Sequence, residues 1–202
     1  MNPSLNRDPV SHLSLWLFPI ILTTLILAVF LLDRFFFQSL SFQRQLLVNG
    51  EYWRLLSAHI VHLNDNHLYL NLAGLWLIWF FVGDRFKLIE WFVLTIVLAL
   101  IVSLILVAFN PYLESYVGFS GVLYGLLMAG LLKQFNTYED IILFILVVLK
   151  LFYEQVYGSF SGSTELINGS VIVDAHFYGA IVGVGYILLR GLCMRICTDK
   201  KG

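Results

Sequence analysis

Apolar residues gather in six runs, and no soluble fold has enough polar chain to cover them. The runs are Leu13 to Leu32, His67 to Val82, Ile89 to Phe109, Gly118 to Leu132, Ile141 to Tyr157, and Asp174 to Arg190. About 20 apolar residues in helical form match the roughly 30 Å hydrocarbon core of a bilayer. Hydrophobic residues are 59% of the chain and charged residues 12%, where a soluble domain carries about 25% charged. The 202 residues therefore read as an all-α integral membrane protein, with 1–202 forming one six-helix membrane domain and no internal repeat. Pro19 falls inside the first run and predicts a kink there. That run follows a polar Met1 to His12, and Asp33-Arg34-Phe35 stands where a leader would carry small cleavage-site residues. It is expected to be a retained span.

The connections between runs are unequal. Asp33 to Asn66 is rich in Phe, Leu and Gln but broken by Asn49-Gly50 and Asn64-Asp65-Asn66. It is too polar to span and too apolar to float free. The reading is an interfacial segment, partly amphipathic helix. Gly158 to Ser170 is rich in Gly, Ser and Thr and reads as a mobile loop. With six spans both termini share one side. The loops of that side hold Arg7, Arg85, Lys87, Lys133, Arg190, Arg195, Lys200 and Lys201, against Arg34, Arg44 and Arg54 opposite. The excess of positive charge places both termini in the cytoplasm. The net charge of -1 comes with no basic arm or patch, so membrane lipids are the expected surroundings and no nucleic-acid partner is expected. Cys193 and Cys197, one helical turn apart, read as free thiols.

The fourth run is too short to cross. As a helix, Gly118 to Leu132 covers about 22 Å at 1.5 Å per residue, short of the roughly 30 Å core. Its helix must then begin inside the bilayer. Non-helical backbone at that depth is tolerated only when buried in protein or lining a wet cavity. Ser120 stands at that point, in Gly118-Phe119-Ser120-Gly121.

Polar residues in spans are costly and mark function by default. Three clusters stand at the outer helix ends. His59, His62, His67 and Asn71 form the first; His67 and Asn71 are four apart and share a helix face. A metal site there would need a further ligand, and neither a nearby Glu or Cys nor His-Glu-x-x-His is present. No metal and no cofactor is expected. Ser120 with Gly118, Gly121, Tyr124 and Gly125 is the second cluster, and His176 with Gly179 and Gly183 the third. Gly-x-Ser-Gly alone is a weak signal, and Gly-x-x-x-Gly is commonly a packing face. Together they carry more. If the Gly179/Gly183 stripe packs on the Gly121/Gly125 stripe, His176 comes down onto Ser120 beside Tyr124, pairing a nucleophile with a base. Donors for an oxyanion are available from His67, Asn71 and the Ser120 backbone N–H at its helix start. No acidic third member is evident. Asp174 would point elsewhere, and the reading is a Ser–His dyad.

In that combination and order the sequence resembles the rhomboid intramembrane serine proteases. The resemblance runs from Trp53-Arg54 through His62 and His67-x-x-x-Asn71 to Gly118-x-Ser120-Gly121-x-x-Tyr124 and Ala175-His176-x-x-Gly179. It implies a six-helix rhomboid-like bundle with an interfacial first outer loop and a short fourth helix. It implies Ser120 as nucleophile, His176 as general base, and His67 and Asn71 as oxyanion-hole donors. Short termini and Lys150-x-x-Tyr153-Glu154 look more like one branch, the rhombosortases. That likeness implies a bacterial inner-membrane enzyme opening to the periplasm, acting on the transmembrane tails of secreted proteins that end in a GlyGly-type signal. Lys150 lies about ten residues into the fifth run, where an unpaired ammonium costs at least about 2.5 kcal/mol. Glu154, one turn on, can pair with it. The pair reads as a satisfied ion pair or as an element that meets substrate, and Trp53 and Arg54 carry the same two readings. Two other classes fit less of the sequence. Haem ligation by His67 and His176 leaves Gly118-x-Ser120-Gly121 and Asn71 without a role. A non-catalytic rhomboid-like scaffold leaves the Ser120 and His176 pairing without one.

Overall fold

The computed structural model describes residues 9–32 and 38–199. Arg7, Arg34, Lys200 and Lys201, counted for orientation, lie outside the described residues. The fold is helical. Its long elements are α1 (Pro9–Leu31), α4 (Asp65–Val82), α5 (Leu88–Phe109), α6 (Ser120–Lys133), α7 (Tyr138–Tyr157) and α9 (Val173–Asp199). Short helices α2 (Arg44–Val48), α3 (Arg54–Ser57) and α8 (Ser161–Ile167) and strands β1 (Phe42–Gln43) and β2 (Ser115–Tyr116) connect them.

Local chemistry starts most of these helices. Asn64 caps α4 by accepting the His67 backbone N–H at 3.0 Å. Thr137 and Asp140 cap α7 reciprocally, while at the start of α5 the Glu90 carboxylate accepts the Lys87 backbone N–H at 2.9 Å. By contrast α6 starts at Ser120 with no side-chain cap. Its first N–H groups lack partners along the helix. Pro19 is accommodated within a continuous α1.

α6 is the axis of the bundle, with α4, α5 and α9 packed around it. Small residues set its contact with α9. A Cβ on Gly121 would stand 2.8 Å from the Ala175 carbonyl oxygen, and one on Gly179 would overlap the Gly121 carbonyl. The two backbones therefore touch, as the glycine stripes predict. α1 closes another side, where Phe18 stacks on Trp79 at 5.0 Å and meets Trp91 at 5.7 Å. The buried core runs through Leu75, Leu94, Leu98, Leu126 and Leu131.

Two connections are more folded than their composition predicts. In the segment between α1 and α4, β1 pairs antiparallel with β2, Phe42 opposite Tyr116. Buried Arg54 binds Glu51 at 2.6 Å and donates to the Ser41 and Gln38 carbonyls at 2.6 and 2.7 Å. Arg44 donates to carbonyls at the end of α5, among them Asn110 at 2.8 Å. These two guanidiniums satisfy backbone that no regular element pairs, so the expected amphipathic helix is replaced by short helices around a strand pair. The second case is the supposed mobile loop after α7. Ser161–Ile167 is helical and turned 82° from α7. Asn64 and Asn66 donate to the Ile167 and Leu166 carbonyls at 2.5 and 2.6 Å, satisfying the end of α8.

By length and composition, Leu88–Phe109 and Val173–Cys193 can cross a membrane, and α7 with α8 qualifies as a bent pair. Leu15–Leu31 and Ser120–Lys133 are shorter apolar helices. α4 has 18 residues but begins with Asp65, Asn66 and His67 and carries Asn71, so polarity keeps it from qualifying. Exposed Ile142, Ile145, Leu149, Phe152 and Val156 on α7 and Phe80 on α4 give the bundle an apolar outer face. Cys193 is an exposed free cysteine.

Candidate active site

Ser120 opens α6, a helix of 14 residues, about 21 Å long at 1.5 Å per residue. Gly118, just before it, has φ +119°. A Cβ there would lie 2.6 Å from His67 Cε1 and 2.7 Å from its Nε2. Only glycine lets the backbone enter the helix with the imidazole this close. The entry is held by the Gly118 N–H donating to the Ala58 carbonyl at 3.0 Å. The Tyr116 hydroxyl donates to the Gly118 carbonyl at 2.8 Å.

The glycine contact between α6 and α9 brings His176 onto Ser120. His176 Nε2 and Ser120 Oγ are 2.9 Å apart. The Tyr124 ring lies against the imidazole, centroids 4.7 Å apart and planes at 34°. This is the geometry that the two glycine stripes predict. One contact was not anticipated. Glu154 Oε2 lies 3.0 Å from His176 Nδ1, and the carboxylate is 3% exposed. The expected dyad, with no acid in reach, is therefore incomplete as a description of the site. Its other oxygen, Oε1, pairs with Lys150. The signal for Glu154 was present as a carboxylate inside an apolar run. Its target was hidden, because the rotation of α7 against α9 is not a local property.

Asp174 turns away from the site and binds Asn110. The Lys150 ammonium lies over the Tyr124 ring at 5.0 Å and the Phe160 ring at 5.9 Å. It faces the site's cavity, not the surrounding solvent alone.

His67 and Asn71 face Ser120 from α4, across the same cavity of about 650 Å³. The Leu63 backbone N–H donates to His67 Nδ1 at 3.3 Å. In the neutral ring the proton then sits on Nε2, the nitrogen turned toward Gly118. Asn71 donates one amide hydrogen to the His67 carbonyl at 2.8 Å, and its Oδ1 has no partner among the described residues. A second donor hydrogen is left on the amide.

Among the described residues no three His, Cys, Asp or Glu side chains gather as ligands of one ion. His62 packs its ring edge-on to His67, centroids 5.1 Å apart. His59 Nε2 turns to the Ala99 carbonyl and Ser103 Oγ, each at 2.9 Å. Both lie outside the long helices and are buried. Burial pushes His59 down to about 4. Burial, with His67 beside it, pushes His62 down to about 3. Trp53 is exposed and donates to the Ser39 carbonyl at 3.1 Å. It and Arg54 brace the segment between α1 and α4 and do not line the cavity.

No curated relative matches the chain. The rhomboid domain model matches residues 49–192, a span that contains Ser120, His176, Glu154, His67 and Asn71. The protein is an integral membrane protein and belongs to the rhomboid family.

Proposed function

We propose that this protein is an intramembrane serine endopeptidase with Ser120 as nucleophile and His176 as general base. The observation that carries the reading is Ser120 Oγ at 2.9 Å from His176 Nε2, at an uncapped helix start inside a cavity. Rhomboid family proteins are intramembrane serine proteases, and the residues here suit that chemistry. Ser120 Oγ attacks the scissile carbonyl while its proton passes to His176 Nε2. The carbonyl oxygen becomes an oxyanion. The Ser120 backbone N–H, His67 Nε2–H and the free Asn71 amide hydrogen supply donors for it, and donors held in place before reaction are worth most. The proton on Nε2 then goes to the leaving amine as the C–N bond breaks. Water, giving its proton to Nε2, releases the acyl group and restores Ser120.

The substrate we propose is a transmembrane segment near the outer membrane face. Peptide bonds in a regular helix are internally hydrogen-bonded and covered, so glycine-rich stretches that unwind make suitable targets. On the rhombosortase likeness the natural substrates are secreted proteins with C-terminal GlyGly-type tails, and an amine acceptor could replace water. The membrane arrangement proposed with it has six crossings, both termini cytoplasmic in a bacterial inner membrane, and the site open to the periplasm. One domain over 1–202 serves throughout. The gate is α7 with α8, which borders the cavity.

Purified protein should cleave a GlyGly-tailed secreted substrate and react with a fluorophosphonate probe. Ser120→Ala should abolish both while the protein remains folded. Cleavage that survives Ser120→Ala would refute the assignment. Mass spectrometry of the released protein reads the cut position and any added group.

A further inference from the structure

Glu154 is a buried carboxylate that a Ser–His pair does not require. Burying a carboxylate is costly unless it is paired and hydrogen-bonded. Here both oxygens are engaged, Oε1 by Lys150 and Oε2 by His176 Nδ1. An ionised carboxylate only accepts, so Nδ1 must carry the ring proton and donate it. That leaves Nε2 with a lone pair aimed at the Ser120 hydroxyl. Tyr124 against one face of the ring keeps it in that plane. The three groups come from three helices, Ser120 on α6, Glu154 on α7 and His176 on α9.

Resting on the serine-protease reading, we propose that Glu154 is a positioning residue that fixes the tautomer and orientation of His176. Lys150 is the counter-ion that holds Glu154 there. The dyad then works as a Ser120–His176–Glu154 relay with a lysine behind it. When His176 takes the serine proton, both ring nitrogens become donors and the Glu154 carboxylate faces the new positive charge. The proton stays on the imidazolium, and Glu154 does not take it up. A group acting this way lowers turnover when its charge is removed, and binding is little changed.

The test is a set of variants of the full-length protein in detergent or lipid. Glu154→Gln keeps the shape and removes the charge. It should lower kcat on the order of 10²- to 10⁴-fold, by the effect of the like change in other serine hydrolases. KM should stay within about 3-fold. Fluorophosphonate labelling of Ser120 should slow in parallel, since labelling needs the base but no tail docking. Glu154→Asp should recover part of the rate. Lys150→Met should lower kcat about 10-fold and should add little further loss on a Glu154→Gln background, as expected for residues acting through one another. A Glu154→Gln protein that folds and keeps kcat within 2-fold overturns the proposal. So does one that loses cleavage through KM alone with labelling unchanged. If Glu154→Gln does not fold, Lys150→Met decides, and its unchanged kcat and labelling overturn the relay. Ser120→Ala and His176→Ala run alongside keep the two readings apart. Inactivity of both with an active Glu154→Gln removes only the relay, whereas cleavage by Ser120→Ala removes the serine protease itself.

Discussion

α6 and α7 are neighbours of nearly opposite construction. α6 is buried along almost its whole length, with Val122, Leu126, Ala129 and Leu131 essentially inaccessible. Its fit to α9 is one of shape, backbone against backbone at Gly121 and Gly179. α7 is exposed along most of its length, and of its 20 residues Asp140, Val147, Leu151 and Glu154 are buried. Two of those four are carboxylates, and each is tied by charge. Asp140 meets Arg85 at 3.1 Å near one end, and Glu154 meets Lys150 and His176 near the other. The helix that carries Ser120 is held by packing that has one solution. The helix that carries Glu154 is held by a few polar contacts that can be broken singly. A gate is best built from the second kind of helix, because parting it uncovers little core.

Substitutions can break this contrast, and the largest effect should come from the α6–α9 seam. Gly179→Val would drive a side chain into the Gly121 carbonyl. Backbone cannot yield as a side chain does, so the cost should exceed the roughly 1–3 kcal/mol of ordinary overpacking. Little folded protein should survive extraction, as size-exclusion chromatography would show. Gly118→Ala comes next. Its φ of +119° and the His67 ring 2.6 Å from the added Cβ should misplace the helix entry. On the proposed role of His67 in binding the oxyanion, we expect kcat to fall by at least about 10-fold, with the melting temperature lowered less than in Gly179→Val. A normal kcat would show that His67 has no part in catalysis.

The charge-held helix should respond more gently at its N-terminal end. Asp140→Asn removes the Arg85 ion pair and weakens the bonds that its carboxylate accepts from the Asn136 and Thr137 backbone N–H groups. A stability loss of about 1–3 kcal/mol is expected, read as a lower melting temperature, with the Ser120–His176 contact intact and kcat within a few-fold. If α7 is the gate, KM and the rate of substrate entry should move before kcat does. The smallest effect is that of pH on the segment between α1 and α4. His59 and His62 are held below the ordinary 6.5, at about 4 and about 3. Their neutral rings favour the folded state above pH 6.5. That contribution is lost as pH falls from 6.5 through about 4, because the unfolded chain takes up protons first. Melting temperature should therefore drop across this window, and His59→Phe should flatten the drop. An unchanged slope would place the acid sensitivity elsewhere.

The site was legible in the sequence to the extent that its spacing was local. His67 and Asn71 are one turn apart on α4. Gly179 and Gly183 follow His176 at helical spacing, and the matching stripe follows Ser120. Stripes of small residues can pack closely in few ways, so the contact of His176 with Ser120 could be read before any coordinates. Lys150 and Glu154 were legible as a pair for the same reason, being four apart. The strand pair of Phe42–Gln43 with Ser115–Tyr116 and the burial of Arg54 were not legible. Two-residue strands have no periodicity, and an arginine's carbonyl partners are set by chain crossing.

The sequence by itself determined where the long helices run, that α6 is too short, and that a serine stands at its head. Those properties depend on composition and on residues within a turn or two of one another. Only the tertiary structure decided that the loop after α7 folds into α8, that His67 presents Nε2 toward the entry glycine, and that Glu154 reaches His176. Each depends on how one helix is rotated and seated against another. That rotation is the sum of many weak packing contacts and is written in no single stretch of chain.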